Sequence, residues 1–256
     1  MASRDKLHCN LYNNCVLRKK SDSSKVIKED CMNKQLTVVA LAVVCSLVAG
    51  IGYAQDDKAP INIKLPKPMF VGTPKDIKSP NLETPRKAGE LRPAFLAPKG
   101  ATNLALKKSI KTSDSAPVIG ETELIADGDK EGLDGSYVEF GPGKQYVQID
   151  LGTESEIYAV VVWHYHEQAR VYRDVVVQSS NEPDFLVDVK TIFNNDHDNS
   201  SGLGIGKDKE YIESYEGKLI DAQGVKGRYV RLYSDGNTAN EMNHYIEVEV
   251  YGKPAK

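Results

Sequence analysis

The densest run of chemistry-bearing side chains is ADGDKEGLDGS (126–136), where Asp127, Asp129, Glu131 and Asp134 crowd into a glycine-rich stretch. Several oxygen ligands on a pliable loop suit a hard cation such as calcium; a solvated acidic turn reads the same way. An EF-hand is excluded, because its twelfth position would be Val138 rather than Glu. His164 and His166 are two apart, so on a strand they share a face, and His197 sits in NNDHDN (194–199). A zinc site is conceivable there, but no cysteine and no HExxH accompanies it, and edge or core histidines bonded to neighbours fit equally. SGLGIGKDKE (201–210) lacks the Walker spacing and its Lys-Ser/Thr end, which leaves a flexible loop. There is no GxSxG and no defensible nucleophile–base pair. No catalytic residues are expected, and the chemistry points to binding rather than bond breaking.

Such loops need a scaffold. The stretch Tyr146–Tyr165 reads YVQIDLG, TESE, IYAVVVWHY. Val147, Ile149 and Leu151 alternate with polar or small residues, the period of a half-buried strand. Ile157–Tyr165 is almost wholly apolar, β-branched or aromatic, and is short enough for a buried strand. A polar link at 152–156 predicts a hairpin at the centre of the domain. Further strands are expected near Leu104–Ile110, Glu123–Ala126, Asp174–Ser179, Val187–Phe193, Tyr211–Tyr215, Arg228–Ser234 and Tyr245–Tyr251, with turn residues between them. Nothing shows sustained helical periodicity. Many short strands at this spacing predict one all-β domain, a β-sandwich of jelly-roll type, over 101–252.

The preceding third reads differently. From Met32, Lys34 leads into an apolar run, Leu36–Val48, and Gly52-Tyr53-Ala54 supplies small residues before a cut at Gln55. That is the pattern of a secretory signal peptide over 32–54; the run is shorter than a spanning helix needs. Residues 1–31, which hold Cys9, Cys15 and Cys31, then read as an extension upstream of the true start. Val44 before Cys45 does not make a lipobox. The chain from Gln55 has no cysteine, 25 basic and 32 acidic residues, and a net charge of −7. An acidic exported chain without disulfides must rely on its core or on bound ions, and its charge argues against nucleic acid or an anionic membrane face as partner. No transmembrane span is expected in that mature chain, and its place would be secreted, periplasmic or at the cell surface. Residues 55–100 hold eight of the twelve prolines, interleaved with lysines. They predict an extended tether without regular elements, a spacer or a dock for a cell-envelope protein.

Taken in order, NLALKKSIKTS (103–113), LIADGD (124–129), YVQIDLG (146–152), RDVVVQSSNEPDF (173–185), GRYVRLYS (227–234) and HYIEVEVYG (244–252) resemble the discoidin, or coagulation factor 5/8 type C, domain. Bacterial family 32 carbohydrate-binding modules share that fold. The resemblance implies a galactose-binding-like jelly roll, preceded here by the signal peptide and the proline-rich arm, and non-catalytic ligand binding by loops at one end. It also implies a structural calcium, carried onto Asp127, Asp129, Ser136 and Glu247, with Asp134 able to replace Ser136 in this longer loop. The paired cysteines of many animal members are absent. Sugar sites combine aromatic faces with groups that bond hydroxyls. On the loops at 163–172, 194–199 and 237–244 the expected contacts to a glycan are His166, Arg170, His197 and Asn237. The other expectation is an envelope structural or adhesion protein whose loops meet a protein partner.

Overall fold

The computed structural model describes residues 57–69, 77–87 and 89–255, so the expected extension and signal peptide lie outside the described residues. Eleven strands and one turn of 3-10 helix make up the regular structure: β1 (Lys58–Pro60), β2 (Leu96–Pro98), β3 (Thr102–Asn103), β4 (Ile110–Thr112), the 3-10 turn (Thr122–Ala126), β5 (Val138–Phe140), β6 (Gln145–Trp163), β7 (Val176–Ser180), β8 (Lys190–Asn194), β9 (Lys218–Ser234), β10 (Asn243–Tyr245) and β11 (Glu247–Pro254). The main sheet runs β3-β11-β6-β9-β7-β8 with β4 also on β6, and β5 pairs with β10. All strand pairings are antiparallel, so the expected all-β sandwich is what forms.

The expected central hairpin does not form. Both halves of the stretch belong to β6, and both pair with β9 rather than with each other. The polar link is a bend: register shifts between Asp150 and Ser155 and again between Ile157 and Ala159 let one strand turn a corner. Arg228 fastens that corner, donating from Nε and Nη2 to the two Asp150 oxygens at 2.8 Å each. Before the corner β6 lies between β4 and the end of β9; after it, between β11 and the start of β9. Strands that change sheets at bulges are how a sandwich closes on itself. The core it encloses takes Val147 and Ile149 from one half of β6, Val160 and Val162 from the other, with Val177, Val230, Leu232, Val248 and Val250.

Three other local expectations also change. Glu123–Ala126 alternates like a strand but makes the 3-10 turn, whose Ile125 and Ala126 are buried against the sandwich. Tyr211–Tyr215 alternates too, yet it forms single bonds to other loops in place of a ladder. Of Leu104–Ile110 only Ile110 is strand, as the start of β4; the rest links β3 to β4 and is broken at Lys107, whose φ is 57°.

The apolar run in β6 has a second cause. Ala159, Val161 and Trp163 face away from the core, and with Ile246 and Tyr251 they form a second buried cluster. The described part of the proline-rich arm covers it. Ile61, Ile63 and Phe95 pack there, β1 and β2 pair with each other, and the Tyr251 hydroxyl, 2.9 Å from Oε2 of Glu249, also lies 3.2 Å from the Asn62 carbonyl. The expectation of no regular element in the arm therefore fails locally. Pro60 and Pro98 sit at ladder ends, where a missing N–H costs little. A strand covered on both faces has no reason to alternate.

Candidate functional site

Where β6 ends at Trp163, the chain enters a loop that carries side chains alternately inward and outward before β7. His164 points in. It stacks on Tyr172 with centroids 4.3 Å apart, and its Nδ1 lies 2.6 Å from Oε1 of Glu213, both residues fully buried. Tyr165 points out and is half-buried. The Arg170 guanidinium lies over its ring at 4.5 Å from the centroid, and Tyr137 meets it edge-on at 5.2 Å.

Arg170 is 8% exposed. Its Nη2 donates to Oε1 of Gln168 at 3.3 Å, while among the described residues Nε and Nη1 meet no hydrogen-bond acceptor and no carboxylate forms an ion pair with the charge. Beside it, Glu167 accepts from the Tyr165 hydroxyl through Oε2 at 3.4 Å and keeps Oε1 without a donor. A cation on an aromatic face with two buried donors unmet, next to an acceptor unmet, gathers hydrogen-bonding capacity of both signs in one place.

Behind this face runs a chain of three groups. His244 Nε2 is 2.8 Å from Oε2 of Glu139, and its Nδ1 is 2.9 Å from the Tyr172 hydroxyl. Burial first, then the positive charge of Arg170 and the neighbouring His164, press the His244 pKa down to about 3. The ring is neutral, so Nε2–H donates to the carboxylate and Nδ1 accepts from the Tyr172 O–H. Burial raises the Tyr172 pKa, which keeps that hydroxyl a donor. The order hydroxyl–imidazole–carboxylate resembles a nucleophile relay, but Tyr172 is 1% exposed and its proton is already committed. It fixes the floor of the site.

The four expected ligand contacts fare differently. Arg170 lies in the site just described. His166 is 1% exposed and sits beneath the acidic loop, its Nε2 bonded to the Lys130 carbonyl at 2.9 Å. Asn237 gives way to a turn role: it is 1% exposed, its amide donates to Asn240 Oδ1 and the Met242 carbonyl, and its oxygen accepts from the Ala239 and Asn240 amides. That leaves no group for a ligand. His197 is exposed on its own loop, and no hydrogen bond or ring contact joins it to Tyr165 or Arg170. Tyr137, Glu139 and Glu213 were not singled out as ligand-site residues. Tyr137 precedes and Glu139 lies within a three-residue strand too short to show a period, and Glu213 lies in a segment expected to be a strand.

The expected cation ligands lie in one hydrogen-bonded neighbourhood, but Asp127, Asp129 and Glu247 are not among the described carboxylates whose oxygens all come within 4.8 Å of one another. The Gly128 amide donates to Oε2 of Glu247 at 3.1 Å, Asp129 N donates to Oδ1 of Asp127 at 2.7 Å, and Ser136 Oγ donates to Oδ2 of Asp129 at 3.1 Å. Glu247 is fully buried and its Oε1 has no partner. Burial raises its pKa to about 9 against the Gly128 hydrogen bond and Lys130, with Glu249 and Asp127 adding to the rise. Lys130 bridges the Gly128 carbonyl at 3.2 Å and Glu249 Oε1 at 2.8 Å, so it meets part of the local negative charge. An orphaned buried carboxylate oxygen beside loop oxygens fits a hard cation. The described residues also group Asp174, Asp196 and Asp198, whose oxygens are taken up by Ser200 and Ser201. No histidine among the described residues joins a metal-binding group.

No protein-family model and no curated protein matches the chain. Among solved structures it is similar to the CBM32 of AlyQ in complex with 4,5-unsaturated mannuronic acid, at 17% identity and a TM-score of 0.40 over 56% of this chain and 92% of that one. It is similar to chitosan-binding module 1 of a chitosanase/glucanase from Paenibacillus sp. IK-5, at 18% identity and 0.43 over 59% and 99%. It is also similar to a Streptococcus pneumoniae fucose binding module, SpX-3, at 20% identity and 0.41 over 59% and 97%. Among the described residues no helix is long and apolar enough to cross a membrane.

Proposed function

We propose that the chain is an exported, non-catalytic carbohydrate-binding module whose ligand meets Tyr165, Arg170 and Glu167, with Tyr137 and His244 beside them. One observation carries the reading: a buried guanidinium stacked on an aromatic ring with Nε and Nη1 unmet, adjoining an unmet carboxylate oxygen. Sugar hydroxyls accept and donate from the same atom, so vicinal hydroxyls satisfy both groups while C–H faces lie on tyrosine. Calcium belongs to the same proposal. Asp127, Asp129, Ser136 and Glu247 would hold it, and the ion would supply positive charge that ties the loop to β11. Single sugar sites bind weakly, so such a module works tethered or in several copies.

The test is a titration of the protein with oligomers of galactose, glucosamine and uronate, comparing wild type with Arg170→Ala and Arg170→Lys. Binding by wild type, abolished by Ala and weakened at least about tenfold by Lys because the fork is lost, supports the proposal. A wild-type protein silent across the panel overturns it.

One observation favours adhesion to a protein as a second reading. At the other end of β7, Leu186 and Val187 are 79% and 60% exposed on a loop tip. Pull-down from envelope extract that survives Arg170→Ala and is lost on Leu186→Asp would identify that reading.

A further inference from the structure

We infer that the proline-rich arm is a positioning element of the binding end: it holds the segment 210–217, and that segment sets His164 and Arg170. The inference rests on the sugar-site reading above for its functional consequence.

The segment carries Glu210, Glu213 and Glu216 at three-residue spacing, 4%, 1% and 5% exposed. The outer two face the arm. Glu210 Oε2 accepts from the Ser79 hydroxyl and from the Asn81 amide, while backbone bonds run from Glu83 N to Glu210 O at 2.8 Å and from Glu210 N to Asn81 O at 3.2 Å. Glu216 pairs with Arg86 and accepts from the Arg92 amide at 3.0 Å. Arg92 Nη1 donates to the Glu216 and Gly217 carbonyls at 3.0 and 2.9 Å, and Lys218 bonds Glu83 at 2.6 Å.

The middle glutamate faces the site. Glu213 Oε1 meets His164 Nδ1 at 2.6 Å, and its amide donates to the Arg170 carbonyl at 2.8 Å. Residues 211–217 make no strand ladder, so individual bonds such as these fix their place. Detaching the arm removes the donors of both outer carboxylates and the backbone bonds that hold the segment, which is then free to hydrate and move toward water, taking Glu213 from His164 and Arg170. A loosened Arg170 must then be ordered on binding, which weakens affinity. Glu213 is a positioning residue here; nothing places it against a ligand.

The experiment uses the full chain and Arg92→Ala, with Ser79→Ala at the opposite flank reporting the same coupling should Arg92→Ala not fold. Three quantities are read: amide exchange over 79–98 and 210–217, the His164 ring and Arg170 side-chain resonances without ligand, and the dissociation constant for the tightest oligomer of the galactose, glucosamine and uronate panel. Expected are faster exchange in both segments, shifted His164 and Arg170 signals, and a roughly tenfold weaker complex. A released arm with unmoved resonances and unchanged affinity overturns the inference. Moved resonances in a protein that binds no oligomer uphold the coupling and remove the sugar reading.

Discussion

Arg170 and Glu247 are the two side chains whose surroundings leave most unsettled charge. Arg170 is a buried cation with no ion-pair partner among the described residues, a cost that the proposed ligand would relieve. Replacing it by Met should therefore leave the melting temperature unchanged or raise it while binding is lost, which thermal unfolding and titration together check. Glu247 bears a proton across neutral pH when no cation is near, since its folded pKa of about 9 exceeds the ordinary 4.5. The folded state then holds more protons than the unfolded one between those values. Its contribution to stability is intact below pH 4.5 and is lost as pH rises toward 9. Calcium held there, as proposed, would compete with that proton, so the rise in melting temperature on adding calcium should be larger at pH 8 than at pH 5. Glu247→Gln should flatten both dependences. Differential scanning calorimetry at the two pH values, with calcium and with chelator, decides it; an ion effect unchanged in Glu247→Gln would remove this residue from the site.

At the scale of elements, the turn into β9 is a tight joint. Gly217 has φ +64°, and a Cβ there would lie 2.6 Å from the Trp163 ring, which is fully buried and donates Nε1–H to the Tyr215 carbonyl at 2.9 Å. Gly217→Ala combines left-handed strain with overpacking and should destabilise the fold by roughly 2–4 kcal/mol, read from denaturant midpoints. Tryptophan emission should shift red as the ring is displaced. The long strands β6 and β9 show why local pattern misleads here. Polar residues at 152–156 promised a turn, and the chain does turn, but by bulges inside one strand instead of a loop between two. Periodicity sees polarity and cannot see which neighbour takes up the backbone bonds.

For the molecule as a whole, the described part of the arm belongs to the packed body rather than to a leash. Its apolar residues cover a sheet face that would otherwise expose Ala159, Val161, Trp163, Ile246 and Tyr251. Ile63→Asp should loosen the arm, cost about 2 kcal/mol, and make residues 57–98 sensitive to protease before the sandwich unfolds. Limited proteolysis followed by mass spectrometry reads this directly; equal cleavage kinetics for variant and wild type would mean the arm does not depend on that contact.

Composition and short-range order settle a good deal here. Alternation, turn residues and the absence of helical period dictate an all-β sandwich, and the clustered acids mark the loop that meets β11 through Gly128 and Glu247. Arg170 stands out by type, because few loops offer a guanidinium beside so many aromatics. Partners distant in the chain were beyond reach. Asn237 and His166 look like free polar loop residues, and only folding shows the amide of Asn237 committed to a turn and Nε2 of His166 bonded to the Lys130 carbonyl. Glu213 meets His164 across 49 positions, and the arm meets Glu210 and Glu216 across about 130. Residue type and spacing report the tendencies of a segment; which tendencies are satisfied, and by whom, is set when burial removes water as the alternative partner.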